Sequence, residues 1–279
     1  MALHTDTHGG GALPTLTPSP TPFTLTPSPS TGPARTDVLD NAVWSALTGP
    51  HAAFAEWVGG AARYPDDVYA FAALADPRDP AAWADLRTLV GAGAVVRVKP
   101  VDEVPDGWEI LGGGQGVQLV DNGLRAEPDP EAERLGPADV PEILDLVART
   151  KPGPFLKRTV ELGTYLGIRD GGRLIAMAGE RSEMGVPPAE GWGRIRPPGW
   201  TEISAVCTDP AYRGRGLATR LVRAVAAGIR DRGDTPFLHS AADNTSAVRL
   251  YESLGFTVRR RSTIVSVRSP GTAPEAAVL

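Results

Sequence analysis

In the second half of the chain, one segment has apolar residues at helical spacing and follows shortly after an apolar run that is typical of a strand. Leu217, Leu221, Val225 and Ile229 stand four residues apart, which predicts a helix from Leu217 to about Arg232 with one buried face. The apolar run TEISAVCTDP before it predicts a strand. The chain therefore passes from a strand to an amphipathic helix through the short segment AYRGRG.

The elements around this pair alternate between strands and helices. They are a helix in PADVPEILDLVARTKPGPF, a hairpin in TYLGIRDGGRLIAMAGERS that turns at Asp170 to Gly172, a strand at TPFLHSA, a helix from Asn244 to Leu254 and a strand pair that ends at Val267. A long loop rich in proline and glycine, EMGVPPAEGWGRIRPPGW, follows the hairpin. This order predicts an α/β domain over residues 136–268.

Residues 37–125 predict a first α/β domain. Short helices fit TDVLDNAVWSALTGPHAAFAEWV, and a helix at AAWADLRTLVGAG stands between strands at VYAFAALAD and GAVVRVKP. The run WEILGGGQGVQLV predicts a hairpin whose turn is built from Gly112, Gly113, Gly114 and Gly116. These glycines do not have the spacing of a dinucleotide-binding fingerprint, and no helix is predicted after them.

Three segments are predicted to lie outside the domains. Residues 1–36 are dominated by Thr, Pro, Ser and Gly, which predicts a disordered tail or an extension from a misassigned start codon. Residues 126–135 predict an acidic linker, and residues 269–279 predict a flexible C-terminal tail.

Charge is distributed unevenly along the chain. The 28 basic and 33 acidic residues give a net charge of −5, which argues against a dedicated nucleic-acid-binding protein. Between Ala211 and Arg268, however, there are eleven arginines and four acidic residues. A positive region on an acidic protein favours a small anionic ligand.

The sequence offers little for a metal site, a disulfide bond or a membrane-spanning segment. Cys207 is the only cysteine, and the four histidines lack ligand spacing, so neither a disulfide nor a metal site is expected. No run reaches the roughly 18 apolar residues of a membrane span, and the N-terminus lacks the pattern of a signal peptide. We expect a cytoplasmic protein, monomeric or homodimeric, without membrane or nucleic-acid partners.

The segment before the amphipathic helix has the chemistry of an anion site. The first N–H groups of a helix lack internal partners and lie at the positive end of its dipole. Gly214 and Gly216 leave the backbone open to a phosphate. Arg213 and Arg215 add positive charge, and Ala218 is small enough to let an anion approach. An ordinary surface loop with arginines in solvent is the alternative, and a Walker loop is excluded because its Lys-Ser/Thr ending is absent.

The motif Arg213-x-x-Gly216-x-Ala218, entered from AVCTDP, resembles the acetyl-CoA pyrophosphate motif of the GNAT superfamily of N-acetyltransferases. The resemblance covers about residues 134–268, half of the chain, and implies the GNAT fold, a mixed central β-sheet flanked by helices. LGPADVPEILDLVARTKPGPF further resembles the glycine N-acyltransferase-like branch, so residues 37–125 would be its degenerate GNAT-like N-terminal half. The family's last helix and strand are matched at Asn244, Ala247, Tyr251, Gly255 and Phe256.

The resemblance implies acetyl-CoA as co-substrate and a set of contacts to it. The strand edge at Val206 and Thr208 would pair with the pantetheine arm, and the Val206 amide would face the thioester oxygen. The backbone amides from Arg213 to Ala218 would hold the pyrophosphate, and Asn244 would cap its helix and touch CoA. The residues assigned to the cofactor are Val206, Thr208, Arg213, Gly214, Arg215, Gly216, Leu217, Ala218 and Asn244.

Glu202 is the candidate general base. It stands four residues before Val206, hence on the same face of a regular strand. Histone-type members of the family carry a base glutamate at the equivalent position, and burial would raise the pKa of Glu202 toward the working range. A solvated strand face or an ion pair with an arginine is the alternative. Glu180 and Glu183 are the substitutes.

Tyr251 is the candidate general acid, which by resemblance would protonate the departing CoA thiolate. Packing on the buried side of its helix is the alternative role. Strand alternation directs Cys207 to the face opposite Glu202 and Val206, which favours a buried thiol over an acyl carrier. Direct attack of the acceptor on acetyl-CoA is therefore the predicted mechanism.

The implied function is transfer of an acetyl group to a primary amine of a small-molecule or amino-acid-like acceptor. Two alternatives stay open, a non-catalytic acyl-CoA-binding regulatory module and a protein-lysine or N-terminal acetyltransferase. Acceptor choice would depend on Phe155 and on the long loop that contains Trp192 and ends at Trp200.

Overall fold

A computed structural model describes residues 38–181 and 199–271 of the chain, and these form helices packed on one large mixed sheet. The α-helices are α1 Ala42–Leu47, α2 Pro80–Val90, α3 Val140–Thr150, α4 Leu217–Asp231 and α5 Thr245–Ser253. The strands are β1 Glu56–Val58, β2 Ala61–Arg63, β3 Phe71–Leu74, β4 Val95–Val98, β5 Glu109–Asp121, β6 Glu133–Leu135, β7 Tyr165–Asp170, β8 Arg173–Arg181, β9 Trp200–Thr208, β10 Thr235–Ala241 and β11 Phe256–Arg268. The predicted class, a mixed β-sheet flanked by helices, is confirmed.

The sheet runs without interruption through both halves of the chain. Its strand order is β1-β2-β3-β4-β11-β5-β10-β9-β8-β7-β6. Strand β5 comes from the first half but lies between β11 and β10 of the second half, and β11 in turn pairs with β4. The two predicted units therefore share their central strands, and the short β6 in the predicted linker pairs with β7 at the far edge.

The predicted glycine hairpin is wrong. Residues 109–121 form one strand of 13 residues, which pairs with β11 along its whole length. Glycine is as compatible with an extended strand as with a turn, so the glycine run alone does not distinguish the two. The predicted terminal strand pair is likewise one long strand, β11. Strand β1 also lies within a segment that the sequence predicted to be helical.

The helix predictions of the second half are confirmed. Helix α4 buries Leu221, Val222 and Ile229 completely against one face of the sheet. Helix α3 covers the other face, where Ile143 and Leu146 are fully buried. The apolar stripes that the sequence shows at helical spacing thus become the two sides of a three-layer arrangement. Among the described residues, none of the helices has the length and apolar character needed to cross a membrane.

The sheet curls strongly toward the α3 side. The guanidinium of Arg181, at the end of β8, lies 4.4 Å from the ring centroid of Tyr69, just before β3. Five strands lie between β8 and β3 in the order of the sheet. The contact between Arg181 and Tyr69 therefore requires the sheet to be strongly curved, so that residues on its concave face approach each other. The concave face therefore brings residues of the first half opposite those of the second.

Candidate active site

Strands β9 and β10 separate in the middle of the sheet. They pair in parallel only from Trp200 and Thr235 to Ile203 and Leu238, although both strands continue beyond those residues. Strand β10 stays paired with β5 up to Ala241 and β9 stays paired with β8 up to Thr208, so the two strands part while each keeps its outer neighbour. The separation opens a cleft of about 1030 Å³ and leaves one edge of β9 without a partner strand among the described residues.

A bulge in β9 changes which side chains face the cleft. Met177 of β8 pairs with Cys207 and Gly179 pairs with Ser204, so one residue of β8 opposes two residues of β9. Ala205, within this bulge, has φ of +53°, which is uncommon for a residue other than glycine. The alternation of side chains along β9 is therefore shifted by one residue after Ser204.

Two predictions about faces are wrong because of this bulge. Ile203 and Val206 both pack with the α4 cluster, so Glu202 and Val206 do not share a face. Cys207 packs with the α3 cluster, on the side of Glu202 rather than opposite it. A regular strand of period two was assumed, and the extra residue of the bulge reverses that period.

The glycine turn lies at the end of the cleft where β9 runs into α4. Gly214 and Gly216 have φ of +78° and +76°, and Gly216 is the N-cap of α4. A Cβ built on either glycine meets no heavy atom within 4 Å, so the space in front of the turn is open. Both glycines, Leu217 and Ala218 line the cleft. The free N–H groups of the first helical turn lie at this end of the cleft.

Ion pairs of the buried Asp209 fix the segment that leads from β9 into this turn. Asp209 is 5% exposed, accepts a hydrogen bond from Ala211 N at 3.0 Å, and pairs with Arg149 of α3 and with Arg173 at 3.2 Å. Tyr212 donates its hydroxyl hydrogen to Asp170 of β7 at 2.8 Å. The sequence motif contains Asp209, but its partners could not be read from the sequence.

The two arginines of the turn have different surroundings. Arg213 Nε donates to the carbonyl of Thr208 at 3.3 Å, and Arg213 lines the cleft. Arg215 stacks on the ring of Tyr212, 4.7 Å from its centroid, and is not among the residues that line the cleft. Thr208 Oγ1 is buried in the cleft wall without a hydrogen-bond partner in the described part of the chain. An orphaned hydroxyl at this point suits a polar ligand in the cleft.

Helix α5 forms a wall of the cleft. Asn244 is its N-cap, as predicted, and Oδ1 accepts hydrogen bonds from Ala247 N at 3.2 Å and from Ser246 Oγ at 3.0 Å. Tyr251 is 8% exposed and also lines the cleft. Burial raises the pKa of Tyr251 to about 12, so its hydroxyl is protonated at neutral pH. Gly255, with φ of +104°, follows the C-cap Leu254, where the helix was predicted to end.

Glu202 lies in the cleft but is tightly paired. Arg181 donates from Nε to Oε2 at 3.0 Å, and its Nη2 lies 2.8 Å from Oε1. His239 Nδ1 lies 2.8 Å from the same Oε1. Burial alone would raise the pKa of the Glu202 carboxyl, but Arg181, His239 and Lys99 together hold it well below its usual range. The expected rise in the pKa of Glu202 is therefore wrong, because the positive charge of Arg181 and Lys99 and the hydrogen bond from His239 outweigh burial.

The hydrogen bonds around His239 fix its tautomer. Gln118 accepts at Oε1 from Arg259 Nη1 at 2.9 Å, so its Nε2 is the donor toward Leu39 O at 2.8 Å and His239 Nε2 at 3.1 Å. Nδ1 of His239 therefore carries the hydrogen and donates it to Glu202. Burial lowers the pKa of His239, which keeps the ring neutral at pH 7. Sequence reasoning missed this network, since its members come from four different strands and one loop.

The remaining candidates lie away from the reacting centre or outside the described residues. Glu180 is buried on the α4 side, where it pairs with Arg232 at 2.5 Å, and it does not line the cleft. Glu183 and Trp192 lie outside the described residues. Trp200 packs on Phe237 with ring centroids 6.4 Å apart, and the buried Phe155 packs on Tyr165 at 5.2 Å. Neither Trp200 nor Phe155 lines the cleft.

The far end of the cleft is built by the first half of the chain. Tyr69, Phe71, Arg97 and Lys99 line it. Lys99 is 7% exposed, and its Nζ lies 5.0 Å from the ring centroid of Phe71. Burial lowers the pKa of Lys99 to about 8. Within residues 38–181 and 199–271, no group of three or more His, Cys, Asp or Glu side chains is placed to hold a metal ion.

Comparison with known proteins agrees with this geometry. Residues 188–265 match the family model described as FR47-like protein. A crystal structure from Novosphingobium aromaticivorans, assigned to the GNAT family of acetyltransferases, is 39% identical and superposes with a TM-score of 0.71. The similarity covers 84% of this chain and 99% of that one.

Two curated relatives match shorter parts of the chain. The N-alpha-acetyltransferase RimI of Mycobacterium tuberculosis is 36% identical over 100 residues, which are 35% of this chain and 56% of the relative. The mycothiol acetyltransferase of Mycobacterium marinum is 33% identical over 207 residues, 54% of this chain and 65% of the relative. The chain thus spans between about half and two thirds of the length of these two relatives.

Proposed function

Because the chain belongs to the GNAT family of acetyltransferases, we propose that it transfers an acetyl group from acetyl-CoA to a primary amine of a small-molecule or amino-acid-like acceptor. The observation that carries this proposal is the separation of β9 from β10 beside the glycine turn of α4. An unpaired strand edge and an open helix N-terminus, joined in one cleft, suit a cofactor with an amide-bearing arm and a pyrophosphate.

The pantetheine arm lies along the free edge of β9 in this proposal. Its amides pair with the backbone at Val206 and Thr208, and the orphaned Thr208 hydroxyl gains a partner. The bulge at Ala205 directs the Val206 amide toward the thioester oxygen, where negative charge develops as the tetrahedral intermediate forms.

The pyrophosphate lies at the start of α4. The backbone amides from Arg213 to Ala218 donate to its oxygens, and the open space in front of Gly214 and Gly216 accommodates it. Arg213 contributes charge from the cleft wall, whereas Arg215 acts at longer range because it stacks on Tyr212. Asn244 touches CoA from the start of α5 while it caps that helix.

The transfer is direct. The amine nitrogen attacks the thioester carbon, the new C–N bond forms, and the C–S bond breaks as the intermediate collapses. Tyr251, held protonated by burial, donates its hydrogen to the departing thiolate. The amine loses one proton in the same sequence, so the number of protons is balanced once Tyr251 is reprotonated.

Glu202 receives the amine proton as a carboxylate that is already ionised. Within the described residues its Oε2 accepts one side-chain hydrogen bond, from Arg181 Nε, and so keeps acceptor capacity toward the cleft. Since Arg181 and His239 hold the pKa of Glu202 low, the proton passes on to water rather than staying on the carboxylate. Glu202 in this role differs from a general base whose pKa lies near neutral pH and which keeps the proton it accepts.

A second candidate acceptor is the α-amino group of a polypeptide. The similarity to a relative named N-alpha-acetyltransferase favours it, and the long open cleft has room for an extended chain. A regulatory module that binds acyl-CoA without turnover is the alternative from another class.

Calorimetry and a thiol-release assay test these proposals in order. We expect acetyl-CoA to bind the full chain and an amine panel to release free CoA thiol. Absence of acetyl-CoA binding would contradict every version of the proposal. Binding without thiol release for any small amine or N-terminal peptide would favour the regulatory module.

A further inference from the structure

Part of the floor of the cleft between the reacting centre and the first half of the chain is bare backbone, beside the side chain of Ile264. On the concave face, Gly112, Gly114 and Gly116 of β5 pair with Ser266, Ile264 and Ser262 of β11, and all six residues line the cleft. A Cβ built on Gly112 or Gly114 would meet no heavy atom within 4 Å. These three glycines, here called the glycine floor, span roughly 14 Å at about 3.4 Å per residue.

Two cations stand where the glycine floor reaches β4. Arg97 pairs with Ser266, which itself pairs with Gly112, and Lys99 follows two residues later on the same face of the chain. Both line the cleft, Arg97 half-buried and Lys99 7% exposed. Within the described residues neither forms an ion pair with an acidic side chain, and Lys99 contacts the ring of Phe71 instead.

Glu202, the carboxylate that acts on Lys99, does not neutralise this pair of cations. Glu202 attracts Lys99, but both of its oxygens are held by Arg181, and Oε1 is held by His239 as well. Arg181 and Glu202 cancel each other, so this end of the cleft has a surplus of positive charge. Burying a lysine without a counter-charge is unfavourable, and an anion bound there would remove that cost.

We infer that the acceptor carries, in addition to its amine, an anionic group that binds Arg97 and Lys99 while its chain lies on the glycine floor. This rests on the proposed function, because it takes the amine to react at the separation of β9 and β10. A carboxylate and a phosphate ester share the required chemistry. Because the three glycines carry no side chains, an extended acceptor can lie against their backbone between the two ends.

Matched pairs of amines test the inference. One arm compares 11-aminoundecanoate and 12-aminododecanoate, which are long enough to span the floor, with undecylamine and dodecylamine. Another compares 10-aminodecyl phosphate with 10-aminodecan-1-ol, all by thiol release. We expect the anionic member of at least one arm to have a kcat/KM about tenfold higher or more, as two charge-assisted contacts would provide. Arg97→Gln should reduce that ratio to near one, whereas Arg249→Gln, an exposed arginine outside the cleft, should keep the wild-type ratio. Equal or better use of the neutral amines in both arms would overturn the inference and leave the proposed function intact.

A substitution that fills space on the glycine floor gives a second test, which measures binding and does not require turnover. Gly114→Val places a side chain on the glycine floor, and Gly136→Val is the control, since it too has open space and lies outside the cleft. By calorimetry on the CoA-bound protein, 11-aminoundecanoate or 10-aminodecyl phosphate should bind wild type and Gly136→Val but at least about tenfold more weakly to Gly114→Val. Failure of both anions to bind wild type that does bind acetyl-CoA would overturn the inference. Failure of acetyl-CoA itself to bind would instead reject the proposed function.

Discussion

Arg181 and Glu202 form a two-point ion pair inside the cleft, with Nη2 2.8 Å from Oε1 and Nε 3.0 Å from Oε2. The side chains are 11% and 13% exposed, so water screens the pair little. Arg181 also stacks on Tyr69 and thereby joins β8 to the segment before β3 across the curled sheet. The same arginine thus lowers the pKa of Glu202 and holds the two halves of the chain in contact across the cleft.

The first prediction concerns Arg181→Met. The variant leaves the Glu202 carboxylate buried without its main counter-charge, and we expect the free energy of unfolding to fall by about 3 kcal/mol. Glu202 has a lowered pKa in the folded protein, so the stability that the pair contributes is present above the unfolded pKa of about 4.3 and is lost as the pH falls below it. Urea unfolding at pH 7 and pH 4 measures both effects, with the larger difference from wild type at pH 7.

Arg78→Met is the control for this prediction. Arg78 pairs with Asp76 at 3.0 Å, but its side chain is 79% exposed. We expect its unfolding free energy to stay within about 0.5 kcal/mol of wild type. Equal losses in the two variants would mean that burial of the Arg181 pair has no energetic importance.

The second prediction is the pH dependence of acetyl transfer. Since the pKa of Glu202 is held well below its usual range, no ionisation of Glu202 should appear between about pH 5 and 7.5. The rise of kcat/KM with pH should instead follow the acceptor amine and shift when an amine of different pKa is used. Glu202→Gln should lower kcat about a hundredfold without moving that rise. A limb near pH 6 that is the same for all acceptors and vanishes in Glu202→Gln would refute this assignment.

The sequence was sufficient for elements whose signals are local. The four-residue spacing from Leu217 to Ile229 predicted α4, and Asn244 and Gly255 marked the ends of α5 by their cap chemistry. The cleft-lining residues of the glycine turn were identified by their motif. In each case the deciding interactions lie within a few residues of one another along the chain.

The sequence was insufficient for features that depend on contacts between strands far apart along the chain. The bulge at Ala205 contains no glycine to mark it, and it reverses the faces of Val206 and Cys207. The partners of Glu202 come from β8 and β10, so only the folded sheet shows that positive charge outweighs burial. The glycine run of β5 was misread because its neighbour β11 lies more than a hundred residues further along the chain.

The third prediction concerns Tyr251→Phe. Loss of the proton donor should lower kcat about a hundredfold while the KM for acetyl-CoA changes by less than about threefold. Because burial raises the pKa of Tyr251 to about 12, wild type should lose no activity through its ionisation up to about pH 10. Tyr165→Phe is the control, since that hydroxyl is buried without a hydrogen-bond partner among the described residues and lies outside the cleft. Similar kcat values for the two variants would remove Tyr251 as the acid.

The fourth prediction separates backbone strain from cofactor binding in the glycine turn. Gly214 and Gly172 have φ of +78° and +83°, and a Cβ on either would meet no heavy atom within 4 Å. Alanine at each position should therefore cost a similar amount of stability, about 1 kcal/mol. Only Gly214→Ala should weaken acetyl-CoA binding, about tenfold or more by calorimetry, because its Cβ occupies the approach of the pyrophosphate. Equal acetyl-CoA affinities in the two variants would place the pyrophosphate elsewhere.

The fifth prediction concerns Cys207, which the bulge brings to the same face as Glu202. Geometry alone therefore does not exclude an acyl-cysteine intermediate, and the decision rests on the chemistry of the thiol. Burial raises the pKa of Cys207 to about 11, which leaves almost no thiolate at neutral pH. We expect Cys207→Ala to keep kcat within about threefold of wild type, as direct transfer requires.

Mass spectrometry of the protein with acetyl-CoA alone gives the matching observation for Cys207. No acetyl adduct should form on the folded protein, while iodoacetamide should label the thiol only after unfolding, because Cys207 is 7% exposed. An adduct that maps to Cys207 and is chased by an amine would establish a two-step transfer. In that case the shift of Cys207 to the face of Glu202 would itself be part of the catalytic machinery, and the bulge at Ala205 would serve to present the nucleophile.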